Sequence, residues 1–204
     1  LSRANLHQHW WINDPDCLLI RPDTHLSLDE VQSLASVIAL TGGSLLVSDD
    51  LPKLPANRRR IAECLLPVIG ERARIIDWFD ARMPAKLRLD QVNETGEWHI
   101  LAKFNWEDKP CDLTLNAADY QLPEGDYWVS EFWRGSSVLV GLEDAFIAEQ
   151  VPAHGCVVTA WRQSTTGQSV YLGSDLHILQ GVEVAEWKTS KKDVKITLRI
   201  PRKA

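Results

Sequence analysis

A change of period near residue 75 limits what this chain can fold into. Before it, short apolar runs alternate with stretches whose apolar residues recur every three or four positions; after it they recur every second position. Cys17-Leu18-Leu19-Ile20 has strand length and is apolar on both faces, as strands of a parallel sheet are. Ser27 and Glu30 form an S-x-x-E capping box ahead of a stripe at Val31, Leu34, Ala35 and Ile38, which Gly42-Gly43 ends. A second buried strand is predicted over 44–48, with Asp49-Asp50 at its C-terminal end. Pro55 opens another helix, predicted to carry Ile61, Leu65 and Ile69 on one side and the solvated run Arg58-Arg59-Arg60 near its start. The order β-α-β-α implies parallel strands joined by crossover helices, with chemistry at the C-terminal strand ends. Two such units cannot close a barrel, so this portion reads as the last quarter of one.

From Ile75 the pattern is that of antiparallel strands. In "EWHILAKFNWED", Trp98, Ile100, Ala102, Phe104 and Trp106 share one face against His99, Leu101, Lys103 and Asn105. "DLTLN", "GDYWVSEFW" and "CVVTAW" are further strands, parted by Pro123-Glu124-Gly125 and by Pro152-Ala153-His154-Gly155, a spacing that predicts a sandwich. "QSTTGQS" after Arg162 reads as a linker. "SVYLGSDLHILQG" and a hairpin turning at Ser190-Lys191-Lys192 then resume the two-residue period. A lone hairpin is marginal, so further chain, or packing on the sandwich, is expected to support it. The expected class is α+β, divided into 1–72 (the end of a barrel), 73–162 (an antiparallel sandwich) and 163–204 (a β-rich tail).

Composition narrows the function. With 45% hydrophobic and 25% charged residues the chain is globular rather than disordered. Its net charge of −6 argues against nucleic acid as a partner. No apolar run approaches the ~18 residues of a membrane span, so no membrane is expected either. No signal peptide is visible, and the first residue is Leu1, which suggests a fragment or a processed product. Cys17, Cys64, Cys111 and Cys156 lack metal-ligand spacing, and are expected to be isolated thiols in a reducing, cytoplasmic setting. Nine tryptophans are many for 204 residues; most are expected in the core, and indole faces also suit the apolar faces of sugars.

Site candidates gather in "HWWINDPDCLLIR", residues 9–21. A glycosidase needs two carboxylates facing each other across the scissile bond. Asp14 and Asp16, held two apart on one loop by Pro15, are poorly placed to do that. They are better suited to accepting hydrogen bonds from substrate hydroxyls or from backbone, and Asn-Asp-Pro commonly builds such turns. Asp49-Asp50 before Leu51-Pro52 divides evenly between a turn and a site. His7-x-His9 has no third ligand, so no metal is expected; His99 reads as structural and His154 as a turn residue. Ser48, Ser130 and Ser174 sit in no G-x-S-x-G elbow, and no phosphate loop or dinucleotide fingerprint is present.

"WWINDPDCLLIR" followed by "LSLDEVQSLASVIALTGGSLLVSDDLPKL" resembles the end of the catalytic barrel in clan D glycoside hydrolases, the α-galactosidases (melibiases) of families 27 and 36. The family 36 type is the more similar, and the resemblance covers residues 1–162; "LGSDLHILQGVEV" is similar to an additional tail of some bacterial members. It implies a (β/α)8 barrel with the NDPD strand seventh and the SDDL strand eighth. It further implies that Asp16, Cys17 and Trp11 bind sugar, while Asp14 and Asp50 are supporting or structural carboxylates. The nucleophile and the acid/base, the latter in an R-x-x-x-D segment, are expected upstream, so none of the catalytic residues is expected in this chain. No cofactor or metal is implied. The expected partners are a galactose-containing oligosaccharide, bound through the parent enzyme, and either a second copy or the missing barrel portion to cover the open barrel face. The alternative is a non-catalytic β-sandwich module with a structural or carbohydrate-binding role.

Overall fold

The computed structural model describes residues 1, 3–80, 82–190 and 192–199. In chain order its elements are β1 (Cys17–Leu18), α1 (Leu28–Thr41), β2 (Leu46–Val47), α2 (Ala56–Glu63), β3 (Arg74–Ile75), β4 (Lys86–Asn93), β5 (Gly96–Phe104), β6 (Cys111–Leu115), β7 (Tyr127–Glu131), β8 (Ser136–Val140), β9 (Phe146–Val151), β10 (Cys156–Gln163), β11 (Val184–Thr189) and β12 (Val194–Leu198). The described chain is thus mostly strand.

Both halves of the predicted capping box form: the Ser27 hydroxyl accepts from the Glu30 amide at 3.2 Å, and the Glu30 carboxylate accepts from the Ser27 amide at 2.7 Å. Gly42 closes α1 with a left-handed φ of 72°. The helix carries the chain from β1 to β2, which pair in parallel with Cys17 opposite Leu46 and Leu18 opposite Val47. β1 is two residues long rather than four, yet Leu18 and Ile20 are wholly buried together with Val31, Ala35 and Ile38 of α1. α2 corrects the expectation: it ends at Glu63, so Leu65 and Ile69 lie beyond it and only Ile61 of the three is on its apolar side. Pro67 explains the stop, because it lacks an amide hydrogen and restricts Leu66 before it.

The body is a six-stranded sheet in the order β3-β4-β5-β10-β7-β8, antiparallel at every pairing. The pair β6–β9 covers one face, burying Leu101, Tyr127, Val157 and Trp161 beneath Leu113, Leu115 and Phe146. The other face presents Trp98, Ile100, Ala102, Phe104 and Val158 to α1 and the first units, in one continuous core with Leu18, Ile38 and Leu65. The predicted two-faced division of β5 is therefore real, but both faces are dry. Where α1 meets the sheet, Trp133 Nε1 donates to Ser36 Oγ at 3.0 Å and the Ser33 hydroxyl donates to the His154 carbonyl at 2.7 Å.

Residues 163–169 are almost wholly exposed, as suits a linker, but 170–183 form no strand, contrary to the predicted two-residue period. Gly173 and Gly181 have φ near 156° and 157°, outside the range of a side-chain-bearing strand. The segment is instead a strap laid across the core. Ile178 and Leu179 are buried, Trp98 Nε1 donates to the Leu179 carbonyl at 2.9 Å, and the Ile178 amide donates to the Cys64 carbonyl at 2.9 Å. Arg162 is buried beneath the strap, donating to the Gln180 carbonyl at 2.6 Å, and its guanidinium lies 4.4 Å from the Trp98 ring and 5.4 Å from that of Tyr171. Its Nε and Nη1 have no hydrogen-bond partner among the described residues, and these aromatic faces together with the nearby Glu183 carboxylate are what meets the charge. Burial lowers the Arg162 pKa to about 10. The hairpin β11–β12 follows, its turn closed by Ser190 N to Asp193 O at 2.8 Å; Lys191 of the predicted turn lies outside the described residues.

Candidate functional site

The loop before β1 is held by Asn13, which is buried. Its amide side chain donates to the carbonyls of Ala4 (3.2 Å) and Thr41 (3.1 Å), and its Oδ1 accepts from Trp11 Nε1 at 3.0 Å. Its backbone amide donates to His7 Nδ1 at 2.9 Å, and its carbonyl accepts from Ser44 at 2.9 Å. His7 is buried too, with Nε2 lying 3.2 Å from the Gly70 carbonyl. The imidazole thus clamps the loop through both ring nitrogens. His9 is exposed, 3.0 Å from an Arg72 nitrogen, and among the described residues no group of three metal-ligating side chains occurs.

This frame sorts the predicted site residues. Trp11 and Asp14 line an open pocket of about 410 Å³ together with Asn13, Pro15, Val37 and Thr41. Trp11 is 42% exposed and Trp10 80%, their rings edge to face at 6.4 Å, so this is a solvent-facing aromatic surface. Asp16 and Cys17 fall outside that lining. Asp16 is exposed with a left-handed φ of 71°, and its carboxylate accepts from the Cys17 amide at 2.7 Å. A non-glycine residue in that region is uncommon, and Asp is among those that tolerate it. Cys17 shares the outward face of the parallel pair with Leu46, which is 48% exposed. Asp50 is exposed and ion-paired to Lys53 at 2.6 Å. All four cysteines are free, Cys64 and Cys156 buried, Cys17 and Cys111 partly so.

The carboxylate that turns inward is Asp49, the neighbour of the one singled out from sequence. It accepts from the Ile20 amide (2.6 Å), the Arg21 amide (3.1 Å) and the Arg21 guanidinium (2.9 Å), joining the end of β2 to the end of β1. Burial alone would raise its pKa; the Arg21 side chain and the two amides outweigh that and hold it below the ordinary value. Asp49→Ala leaves these donors without their acceptor, and is expected to cost about 2–3 kcal/mol at neutral pH in urea unfolding. Because the folded-state pKa is depressed, the carboxylate's contribution is complete above the unfolded value of about 3.9. It is lost as pH falls through the folded value, so wild type and variant should converge in acid.

No known family model matches this sequence. Several solved structures share its fold. α-Galactosidase I from Mortierella vinacea superposes with a TM-score of 0.61 at 16% identity, covering 81% of this chain and 43% of that one. A family 27 β-L-arabinopyranosidase from Geobacillus stearothermophilus gives 0.64 at 15%, covering 83% and 41%. The α-galactosidase of Saccharomyces cerevisiae gives 0.59 at 13%, covering 76% and 47%. This chain has the fold of part of an α-galactosidase-type glycoside hydrolase. It spans less than half the length of each of these enzymes, and its strand-rich body is consistent with their C-terminal β-sandwich.

Proposed function

We propose that this chain is the C-terminal part of a retaining α-galactosidase-type glycoside hydrolase of clan D. The observation that carries the reading is the fold shared with glycosidases of this type, together with the NDPDC motif leading into β1 and the SDDL motif following β2, the two strands that pair in parallel. Residues 1–72 supply barrel strands seven and eight, 73–162 the sandwich and 163–204 the tail. A two-stranded parallel sheet with an apolar outward face is not a self-sufficient unit, since parallel sheets are covered on both sides. The exposure of Leu46 and the part-exposure of Cys17 and Val47 fit a barrel whose other strands complete it.

In that barrel Asp16 accepts hydrogen bonds from sugar hydroxyls, Cys17 lines the pocket beside it and Trp11 offers an indole face. Asp14 and Asp50 support the strand ends. A retaining hydrolase works through two carboxyl groups about 5 Å apart, one nucleophile and one acid/base. Neither belongs to this chain, which forms one wall of the pocket. The chemistry calls for no metal or cofactor. Solved structures of similar fold hold arabinose in the Geobacillus enzyme and raffinose in the yeast enzyme, which supports a carbohydrate, here a galactose-containing oligosaccharide, as the substrate of the parent enzyme. The free cysteines suit a parent protein in a reducing, cytoplasmic compartment.

A second reading is favoured by the exposed pair Trp10–Trp11 beside the 410 Å³ pocket: a non-catalytic carbohydrate-binding module. The two readings part in one set of measurements on the 204-residue chain. The fragment reading expects no turnover of p-nitrophenyl α-galactoside and no saturable heat with galactose. Saturable binding abolished by Trp11→Ala would favour the module, and turnover by this chain alone would sink the fragment reading.

A further inference from the structure

The two edges of the six-stranded sheet are built differently. β3 is two residues long and exposes Arg74, a short, charged edge of the kind that discourages pairing. β8, at the opposite edge, reads Ser136-Ser137-Val138-Leu139-Val140, with no charge and no proline, and four of its five residues are exposed. Val138 is 45% exposed and Leu139 47%. On one side β8 pairs with β7; among the described residues no strand lies on the other. An uncharged strand with an open ladder is a template for another strand.

We infer that β8 is the interface of a homodimer, pairing antiparallel with β8 of a second copy across a two-fold axis at Val138. The charges that flank the strand select this partner and this direction. Arg134 lies in the exposed turn before β8, and Glu143 and Asp144 lie in the exposed turn after it. Antiparallel self-pairing centred on Val138 sets Ser137 against Leu139, Ser136 against Val140, and the Arg134 turn of each copy against the Leu142-Glu143-Asp144 turn of the other. A parallel pairing would oppose Arg134 to Arg134 and acid to acid. The two-fold arrangement consumes both β8 edges and leaves only the blunt β3 edges at the ends of the joined sheet, so association stops at a dimer. This surface is distinct from the apolar face of β1 and β2, and the inference does not depend on the glycosidase reading.

Sedimentation velocity of the whole chain over a wide concentration range tests it. Wild type should be a concentration-dependent dimer. Val138→Lys sets two like charges directly opposite each other at the axis, and should weaken the dimer about tenfold or more. Arg134→Glu should weaken it as well, and Arg134→Glu with Glu143→Arg should restore it; because Arg134 also donates to the Glu149 carbonyl at 3.1 Å, circular dichroism of each variant checks that the fold is intact. A chain that stays monomeric throughout, or a dimer that neither substitution weakens, overturns the inference.

Discussion

Trp98→Ala is expected to be the most damaging single core substitution, lowering stability by about 4 kcal/mol. For a chain of this size that is a fall of roughly 10 °C in the melting temperature. The indole is 1% exposed and sits where three parts of the chain meet. It is packed in the core that α1 shares with the sheet, its Nε1 donates to Leu179 in the strap, and its face lies against the Arg162 guanidinium. Removing it opens a cavity and also strips the buried arginine of one of the two rings that stand in for missing hydrogen-bond acceptors. Trp98→Phe keeps a ring and loses the hydrogen bond, so it should cost only about 1–2 kcal/mol. Thermal melts of the two variants beside wild type check the order. An alanine variant within about 1 kcal/mol of wild type would show that the strap does not depend on this contact.

Gly43→Ala is expected to cost about 3 kcal/mol, for a reason of space rather than backbone freedom. A Cβ at this position would fall 2.6 Å from the carbonyl carbon of Asn13 and closer still to its oxygen. The obstacle is backbone, and it cannot swing aside, because Asn13 is tied to His7, Ala4, Thr41 and Ser44. The substitution therefore strains the frame that holds the loop ahead of β1. Urea unfolding should show a lower midpoint at an unchanged slope. A variant as stable as wild type would mean that the close approach of these two loops is not maintained in solution.

What the sequence disclosed, and what it hid, follows the range of the interactions. The capping box at Ser27 and Glu30 and the stripe over Val31, Ala35 and Ile38 were legible because each is decided within two turns of helix. The antiparallel body was legible from its period, although β10 reads as a nearly unbroken apolar run because both of its faces are covered. The over-long second helix came from following Ile61, Leu65 and Ile69 past Pro67, where backbone chemistry outranks periodicity. The strap was hidden: its anchor Leu179 is 81 residues from Trp98, and its apolar residues resemble those of a strand until the glycines at 173 and 181 are counted. In the site, the choice between Asp49 and Asp50 depended on the pairing of β2 with β1, which no local pattern carries. The partner of His7 Nε2 is likewise far along the chain, at the Gly70 carbonyl, so the sequence showed only the spacing of His7 to His9.

Under the proposed function these residues form one wall of a galactoside pocket whose catalytic carboxylates lie on preceding barrel strands. That reading is tested most directly by p-nitrophenyl α-galactoside turnover, measured for the 204-residue chain alone and for the same chain preceded by the rest of its reading frame. No turnover is expected from the first and turnover from the second, with Asp16→Ala in the longer protein reducing kcat/KM by about a hundredfold or more through lost contacts to the sugar. Turnover by the short chain, or full activity in the longer protein carrying Asp16→Ala, would contradict it.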